Sequence, residues 1–553
     1  MIFSTVRNIS NKDEFLELIL VYIRIVEVIA EKNKTVITNA TLSDSIILEI
    51  KDMGIIDNME DLTLLKTITK DLYGRFINCV WFYITNKKMF GNQLDKLSNK
   101  KRKQIQDKCK KEHKPTFADF FAGAGGLSCG FTQAGFRVCF ANDFEDVCVR
   151  TYRYNHPEIA SEKVIKGDIR KIVDNVQDYI DEDVDIVVGG PPCQGFSSAN
   201  QQRVIDDPRN ELYKYYIKGI KKILPKFVVM ENVKGMLKVA DQVVEDYESI
   251  KEEKNGTTYS YTVSYKLLNS LDFSVSQSRE RLIYIAIRND IAEKHNITPS
   301  TIFEEISKAN ENKHHYLLRD ALEDIKPLDA PRIKNMNEKD DENTGKKIDV
   351  NTFSGDETPY LRLINGGRKI PVLYNHKARY VNDINYDIYR LLNQGDDASD
   401  HKISDIMPYA NRLHCFKDKY YKLVADKPSR TITAHLRMDC HSHIHPFQTR
   451  AITPREAARC QSFPDDYLFL GAYLKTYMQI GNAVPVNLAW AIGRSLIRLF
   501  NDIQEIMPEE TQDCTEAVRE IMHKQSQLVV VKDRNTQTSK VASKYHELNF
   551  LDL

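Results

Sequence analysis

A cysteine and a glutamate carry the first chemical signal. In Pro191-Pro192-Cys193-Gln194-Gly195-Phe196-Ser197-Ser198 a thiol follows two prolines and precedes Gly and Ser. A stiff approach and a pliable exit suit a presented nucleophile. Glu231, in Met230-Glu231-Asn232-Val233, is a carboxyl group that can assist covalent attack by holding a proton. The other nine cysteines read as small buried apolar residues. No C-x-x-C pair exists among the ten, so neither a zinc ribbon nor a disulfide framework is expected, and the compartment reads as cytoplasmic.

A second signal is Ala122-Gly123-Ala124-Gly125-Gly126, a run whose missing side chains let backbone N–H groups approach a ligand. Ser128 stands where the third glycine of G-x-G-x-x-G would fall, so the dinucleotide fingerprint fails. A plain tight turn explains the run equally well. Asp143 lies twenty residues after Gly123, the distance of an acid that accepts ribose hydroxyls, and Phe144 could pack on an adenine face. A helix-capping Asp and a core Phe are the other reading; loop and acid together favour an adenosine-containing ligand. Cys440, His441, His443 and His445 match no standard metal-site spacing, and no metal is expected.

These residues need elements to position them. Phe117-Ala-Asp-Phe-Phe121 reads as a strand into the Gly-rich run, with a helix ending near Gly135. Strands follow over 138–142, up to 167–168, over 185–189 and over 227–230, alternating with helices over 145–154 and 211–224. That alternation predicts an α/β fold with a doubly wound, mainly parallel sheet. Ligands of such sheets sit beyond the carboxyl ends of the strands, where Asp119, Asp143, Asp168, Cys193 and Glu231 all fall.

In this order the motifs resemble those of the DNA (cytosine-5)-methyltransferases of bacterial restriction–modification systems. Asp119-Phe-Phe-Ala-Gly-Ala-Gly-Gly126 resembles the S-adenosylmethionine loop, Pro192-Cys193-Gln194 the nucleophile motif and Glu231-Asn232-Val233 the base-binding motif. Gln277-Ser-Arg279-Glu-Arg281 resembles the arginine motif, 450–464 the long motif after the recognition region, and Gln479-Ile-Gly-Asn-Ala-Val-Pro485 the last one. Ser274-Val-Ser276 departs from the family's usual Gly and Pro, which puts that turn in question.

The resemblance implies S-adenosylmethionine as cofactor and double-stranded DNA as partner, with cytosine flipped out and held as a covalent Cys193–C6 adduct. It assigns catalysis to Cys193, Glu231, Arg281 and Arg279. It assigns the cofactor to Phe121, Ala122, Gly123, Gly125, Gly126, Leu127, Asp143, Phe144, Asp168, Ile169, Pro191, Asn482 and Val484. A monomer is expected, with a cognate restriction endonuclease as a possible further partner. The alternatives are an RNA cytosine methyltransferase and a DNA-binding regulator acting through the N-terminal region.

The implied division is a helical N-terminal extension with a basic linker (1–110), a catalytic domain (115–290), a target-recognition region (291–427), C-terminal motifs (428–501) and a polar tail (502–553). The 15–30 segment reads as a helix entered through Ser10; Glu17, Arg24 and Glu27 interrupt it too often for a membrane span, and no signal peptide is visible. The 87–114 stretch holds eleven Lys/Arg against Asp95, Asp107 and Glu112, as a solvated helix or a DNA-backbone contact. Asn375-His-Lys-Ala-Arg379 and Arg412 are candidate DNA contacts. Over all 553 residues, 78 Lys+Arg balance 78 Asp+Glu, and 42% hydrophobic with 28% charged residues is a globular composition. The balance argues against a surface that is basic throughout, not against a local DNA-binding stripe.

Overall fold

Apolar residues at helical spacing build the N-terminal region of the computed structural model, which describes residues 1–192, 211–334, 339–351, 358–408 and 419–504. Asn11, rather than Ser10, caps α1 (Lys12–Lys32), because its side chain reaches the amides of both Asp13 and Glu14. Helices α2 (Asp44–Met53), α3 (Asp61–Thr69) and α4 (Leu72–Thr85) pack with α1 around Ile19, Val26, Ile50, Leu65 and Phe76. The basic stretch contains α5 (Asn99–Lys111), capped by Ser98. Its Arg102 is buried and donates to the carbonyls of Arg153 at 2.7 Å and His156 at 3.1 Å, while Lys101, Lys103, Lys110 and Lys111 face solvent.

Residues 115–290 form the expected sheet. Its strands are β1 (Thr116–Phe120), β2 (Arg137–Asp143), β3 (Val164–Lys166), β4 (Ile186–Gly189) and β5 (Phe227–Val233). A small hairpin of β6 (Glu252–Lys254) and β7 (Thr257–Tyr259) precedes β8 (Tyr261–Asn269) and β9 (Glu280–Arg288). The seven-stranded order is β3-β2-β1-β4-β5-β9-β8, parallel from β3 to β5 and antiparallel at β9 and β8. Helices α6 (Gly126–Ala134) and α7 (Asp146–Asn155) make the first crossovers. Connections diverge from β1 to β2 on one side and β4 on the other, which opens a crevice at their carboxyl ends. Register completes the rim: Phe120 lies opposite both Asn142 and Gly189, and Gly189 opposite Met230, so Phe121, Asp143, Gly190 and Glu231, one residue further on, stand at the same level of the rim.

Beyond the sheet, β10 (Gly345–Val350) and β11 (Val372–Lys377) form an antiparallel hairpin. The long motif over 450–464 is largely structural. Thr453 and Glu456 form a capping box around Pro454, opening the helix Pro454–Cys460. Arg450 pairs with Glu456 at 2.6 Å and Arg459 with Asp465 at 2.8 Å, all four side chains fully buried. Ser274 settles the unusual turn by taking a left-handed φ of +57°, the conformation glycine adopts without strain. Among the described residues, no helix is long and apolar enough to cross a membrane.

Candidate active site

A cavity of about 650 Å³ lies over the rim. Phe121, Ala122, Gly123, Gly126 and Leu127 line it from the loop, and Asp143, Phe144, Asp168 and Ile169 from the next strand ends. Pro191 and Glu231 close the sheet side, Arg279 and Arg281 stand at the antiparallel edge, and Asn482 and Val484 arrive from the far end of the chain. Gly125 does not line the cavity; it lies behind the loop, where an added Cβ would stand 2.6 Å from His156 Nε2 and from Tyr467 Oη. Cys193, with Gln194 to Ser198, lies outside the described residues.

The loop is held by its neighbours as much as by its glycines. Ala122 N donates to Asn142 O at 2.9 Å, and Gly123 N to Asp143 Oδ2 at 2.8 Å. Phe121 takes a φ of +58°, a strained conformation for a bulky residue and one that clusters at functional sites. The Tyr467 hydroxyl donates to Ala124 O, and His156 Nε2 lies 3.1 Å from that hydroxyl. At Gly126 an added Cβ would stand 2.5 Å from Val484 O, so the loop and the C-terminal segment touch through that glycine.

Asp143 combines both roles read from its spacing. Oδ1 accepts from Glu145 N at 2.8 Å, a turn-closing bond, while the same carboxylate borders the cavity. Burial raises it above its ordinary value against the pull of those backbone amides. The Phe144 ring is 70% exposed, so it is no core residue and its face is available. Asp168 lies below its ordinary value, chiefly through its pairing with Arg170.

Glu231 and Arg281 form the polar centre. Arg281 Nε lies 2.7 Å from Glu231 Oε1, with side-chain exposures of 14% and 12%. Gly190 faces Glu231, where a Cβ would stand 3.0 Å from Oε2. Asn232 Nδ2 donates to Pro191 O at 3.1 Å, tying β5 to the segment that leads to Cys193. Arg279 differs from Arg281. Its buried guanidinium donates to the carbonyls of Ile432, Gly481 (2.9 Å) and Ala483 (3.1 Å), which makes it a strut between β9 and the last motif.

Sequence reading missed several cavity residues. Arg170 was detectable as a cation two positions after a strand-end acid and Gly481 as a member of the last motif; Glu145 and Met478 carried no such signal. Four of the candidate DNA contacts have internal partners instead. Asn375 Nδ2 donates to Phe469 O at 2.9 Å, and His376 lies 2.7 Å from Lys326 O. Lys377 is buried and donates to Lys339 O. Arg379 donates to Leu436 O at 2.8 Å and Met438 O at 2.7 Å. Arg412 lies outside the described residues. His443 is buried and His441 half-buried, and burial pushes both down to about 4.

A family model described as C-5 cytosine-specific DNA methylase matches residues 115–498. The chain is 32% identical over 393 residues to the Type II methyltransferase M1.HphI of Haemophilus parahaemolyticus, covering 69% of this chain and 87% of that protein. It is also 32% identical over 397 residues to M.FnuDI of Fusobacterium nucleatum, covering 71% and 97%. A solved structure described as a DNA modification methyltransferase of an E. coli prophage superposes with a TM-score of 0.53 at 23% identity, covering 70% of this chain and 99% of that one. That likeness bears on the fold alone.

Proposed function

The chain belongs to the C-5 cytosine-specific DNA methylase family, and from that premise we propose that the cavity binds S-adenosylmethionine and methylates a cytosine flipped out of one particular duplex sequence. The observation that carries this reading is the convergence, on one cavity, of the bare-backbone loop, the strand-end acids and the Glu231–Arg281 pair. The residues fit the cofactor. Gly123 leaves its side of the cavity open, with nothing within 4 Å of where a Cβ would stand, Asp143 and Asp168 offer acceptors, and Phe144 offers an exposed ring. When bound, the cofactor supplies an electrophilic sulfonium methyl group.

The chemistry of the chain's own residues follows from the base. C5 of cytosine is weakly nucleophilic, so a thiolate from Cys193 adds to C6 and makes C5 enamine-like. Glu231 holds the proton at N3, which neutralises the charge that attack places on the ring. Arg281 leaves its ion pair to donate to O2. After C5 is methylated, its proton departs to a base, the C–S bond breaks and the C5–C6 double bond re-forms. A stacked base cannot reach these groups, and extruding it costs a few kcal/mol. Arg279, at the cavity's edge, positions the C-terminal segment through the carbonyls of Ile432, Gly481 and Ala483.

We read the biological role as that of a monomeric cytoplasmic enzyme protecting host DNA from a cognate restriction endonuclease; the relatives' names, Type II methyltransferases, support the methyltransferase part of that reading. Expressing the gene in a host lacking cytosine-5 methylation and bisulfite-sequencing its DNA tests the reading. Protection of one cytosine in one sequence context is expected; conversion of every cytosine would refute it.

A further inference from the structure

The family match begins at residue 115, so α1–α5 lie outside it. They are nevertheless not a detachable appendage. Their apolar core also contains Ile348 of β10, Val372 and Tyr374 of β11, and Leu468 and Leu470 ahead of the last motif. At the edge of this shared core, one carboxylate meets three separate parts of the chain. Glu17 of α1 accepts from Arg150 Nη1 of α7 at 2.8 Å, from Lys347 Nζ of β10 at 2.7 Å and from the Gly471 amide at 2.8 Å. Its side chain is 18% exposed and that of Arg150 16%.

Such a cluster adds little net stability over apolar residues of the same volume, because desolvation offsets the attraction. Its directional bonds do fix a relative position. Gly471 has no room to move: its φ is +89° and a Cβ would stand 2.3 Å from Val147. The hairpin in turn connects with the cavity. Just past β11, Arg379 holds the carbonyls of Leu436 and Met438, and the turn Ala434–Arg437 presses on Gly481, where a Cβ would stand 2.1 Å from the Thr433 carbonyl carbon.

We propose that the N-terminal helices are a brace, and that Glu17 is a positioning residue that sets the β10–β11 hairpin, with the DNA-selecting region it belongs to, against α7 and the catalytic sheet. The inference rests on the reading of 291–427 as the region that selects DNA. Its signature is a KM effect confined to DNA, because the cavity wall near Gly481 keeps its own ties through Arg279 and Gln461.

Steady-state methylation by the full chain, on plasmid DNA carrying the sites found by bisulfite sequencing, tests this. Glu17→Ala is expected to raise KM for DNA about tenfold, the loss of one charge-assisted contact set. Both kcat and KM for S-adenosylmethionine are expected to stay within about twofold of the wild type. Lys347→Met removes one arm only and keeps the chain foldable where Glu17→Ala does not; it is expected to raise KM for DNA about threefold. An unchanged KM for DNA in Lys347→Met overturns the inference, whatever Glu17→Ala does. A loss seen only in kcat and thermal stability overturns it too. A wild-type chain that leaves the plasmid unmethylated would instead fail the enzymatic reading, before any variant is compared.

Discussion

The two walls of the cavity are held by different kinds of bond. On the sheet side, Asp143, Gly190 and Glu231 lie in or just past the last residues of strands whose amides and carbonyls pair residue by residue with their neighbours. On the opposite side, 478–484, the end of the helix Tyr473–Asn482 and the turn after it, pairs with no strand of the sheet and is tied to its neighbours by a few buried side chains. Arg279 reaches the carbonyls of Ile432, Gly481 and Ala483, while Gln461 Nε2 donates to Ile480 O at 2.9 Å and Ala483 O at 3.3 Å. A ladder spreads its positioning over many equivalent bonds, so trimming one side chain leaves the strand ends in place. The opposite wall concentrates it, and single substitutions should be felt there first.

The largest effect is therefore expected at Arg279. Arg279→Met takes the donor from the carbonyls of Ile432 and Gly481 and leaves Ala483 O with Gln461 Nε2 alone, at a cost of about 3 kcal/mol or more. Thermal unfolding should show that loss, and calorimetry a weakening of S-adenosylmethionine binding by at least about a hundredfold. A variant that binds the cofactor normally would mean the wall is held elsewhere and would break the contrast.

Asp119 tests the sheet side with a milder change. Its carboxyl is fully buried in β1, accepts from Ser128 Oγ at 2.6 Å, and burial pushes it up to about 7 from 3.8. The folded chain then keeps a proton that the unfolded chain releases, so stability falls as pH rises from about 4 to about 7. Below that window both states are protonated and nothing is lost. Asp119→Asn removes the penalty: it should match the wild type near pH 4 and exceed it by a few kcal/mol at pH 8 in denaturant titrations, with cofactor affinity kept. An unchanged pH profile would show that Asp119 does not titrate in the fold.

The smallest effect is expected at the exposed Phe144. Phe144→Ala should leave unfolding unaltered and weaken cofactor binding about tenfold, through loss of a stacking contact of ~1–3 kcal/mol. Equal affinity would remove the ring from the adenine site.

The contrast also explains what could be read from residues alone. The sheet wall was legible because the strand pattern, the glycine run and an acid at fixed spacing all concern neighbours in sequence. The other wall depends on pairs such as Arg279 with Ala483, and no local pattern says whether an arginine meets carbonyls or water. The same ambiguity made Asn375, His376, Lys377 and Arg379 look like DNA contacts, and made Arg102 one more charge in a basic stretch. Ser10 yielded the α1 cap to Asn11 because cap choice depends on which side chain reaches two amides. Nothing in the 1–110 sequence announced a core shared with β10 and β11, since apolar periodicity names a buried face but not its partner.

The central claim is that Cys193 attacks a cytosine held by Glu231 and Arg281 in this cavity. It is tested most directly by incubating the protein and S-adenosylmethionine with a duplex carrying 5-fluorocytosine at the methylated site. Fluorine cannot leave C5 as a proton does, so the enzyme should stay covalently attached. The wild type is expected to form a DNA complex that survives denaturing electrophoresis, Glu231→Gln to form it far more slowly, and Cys193→Ala to form none. A complex of wild-type yield from Cys193→Ala would contradict the account.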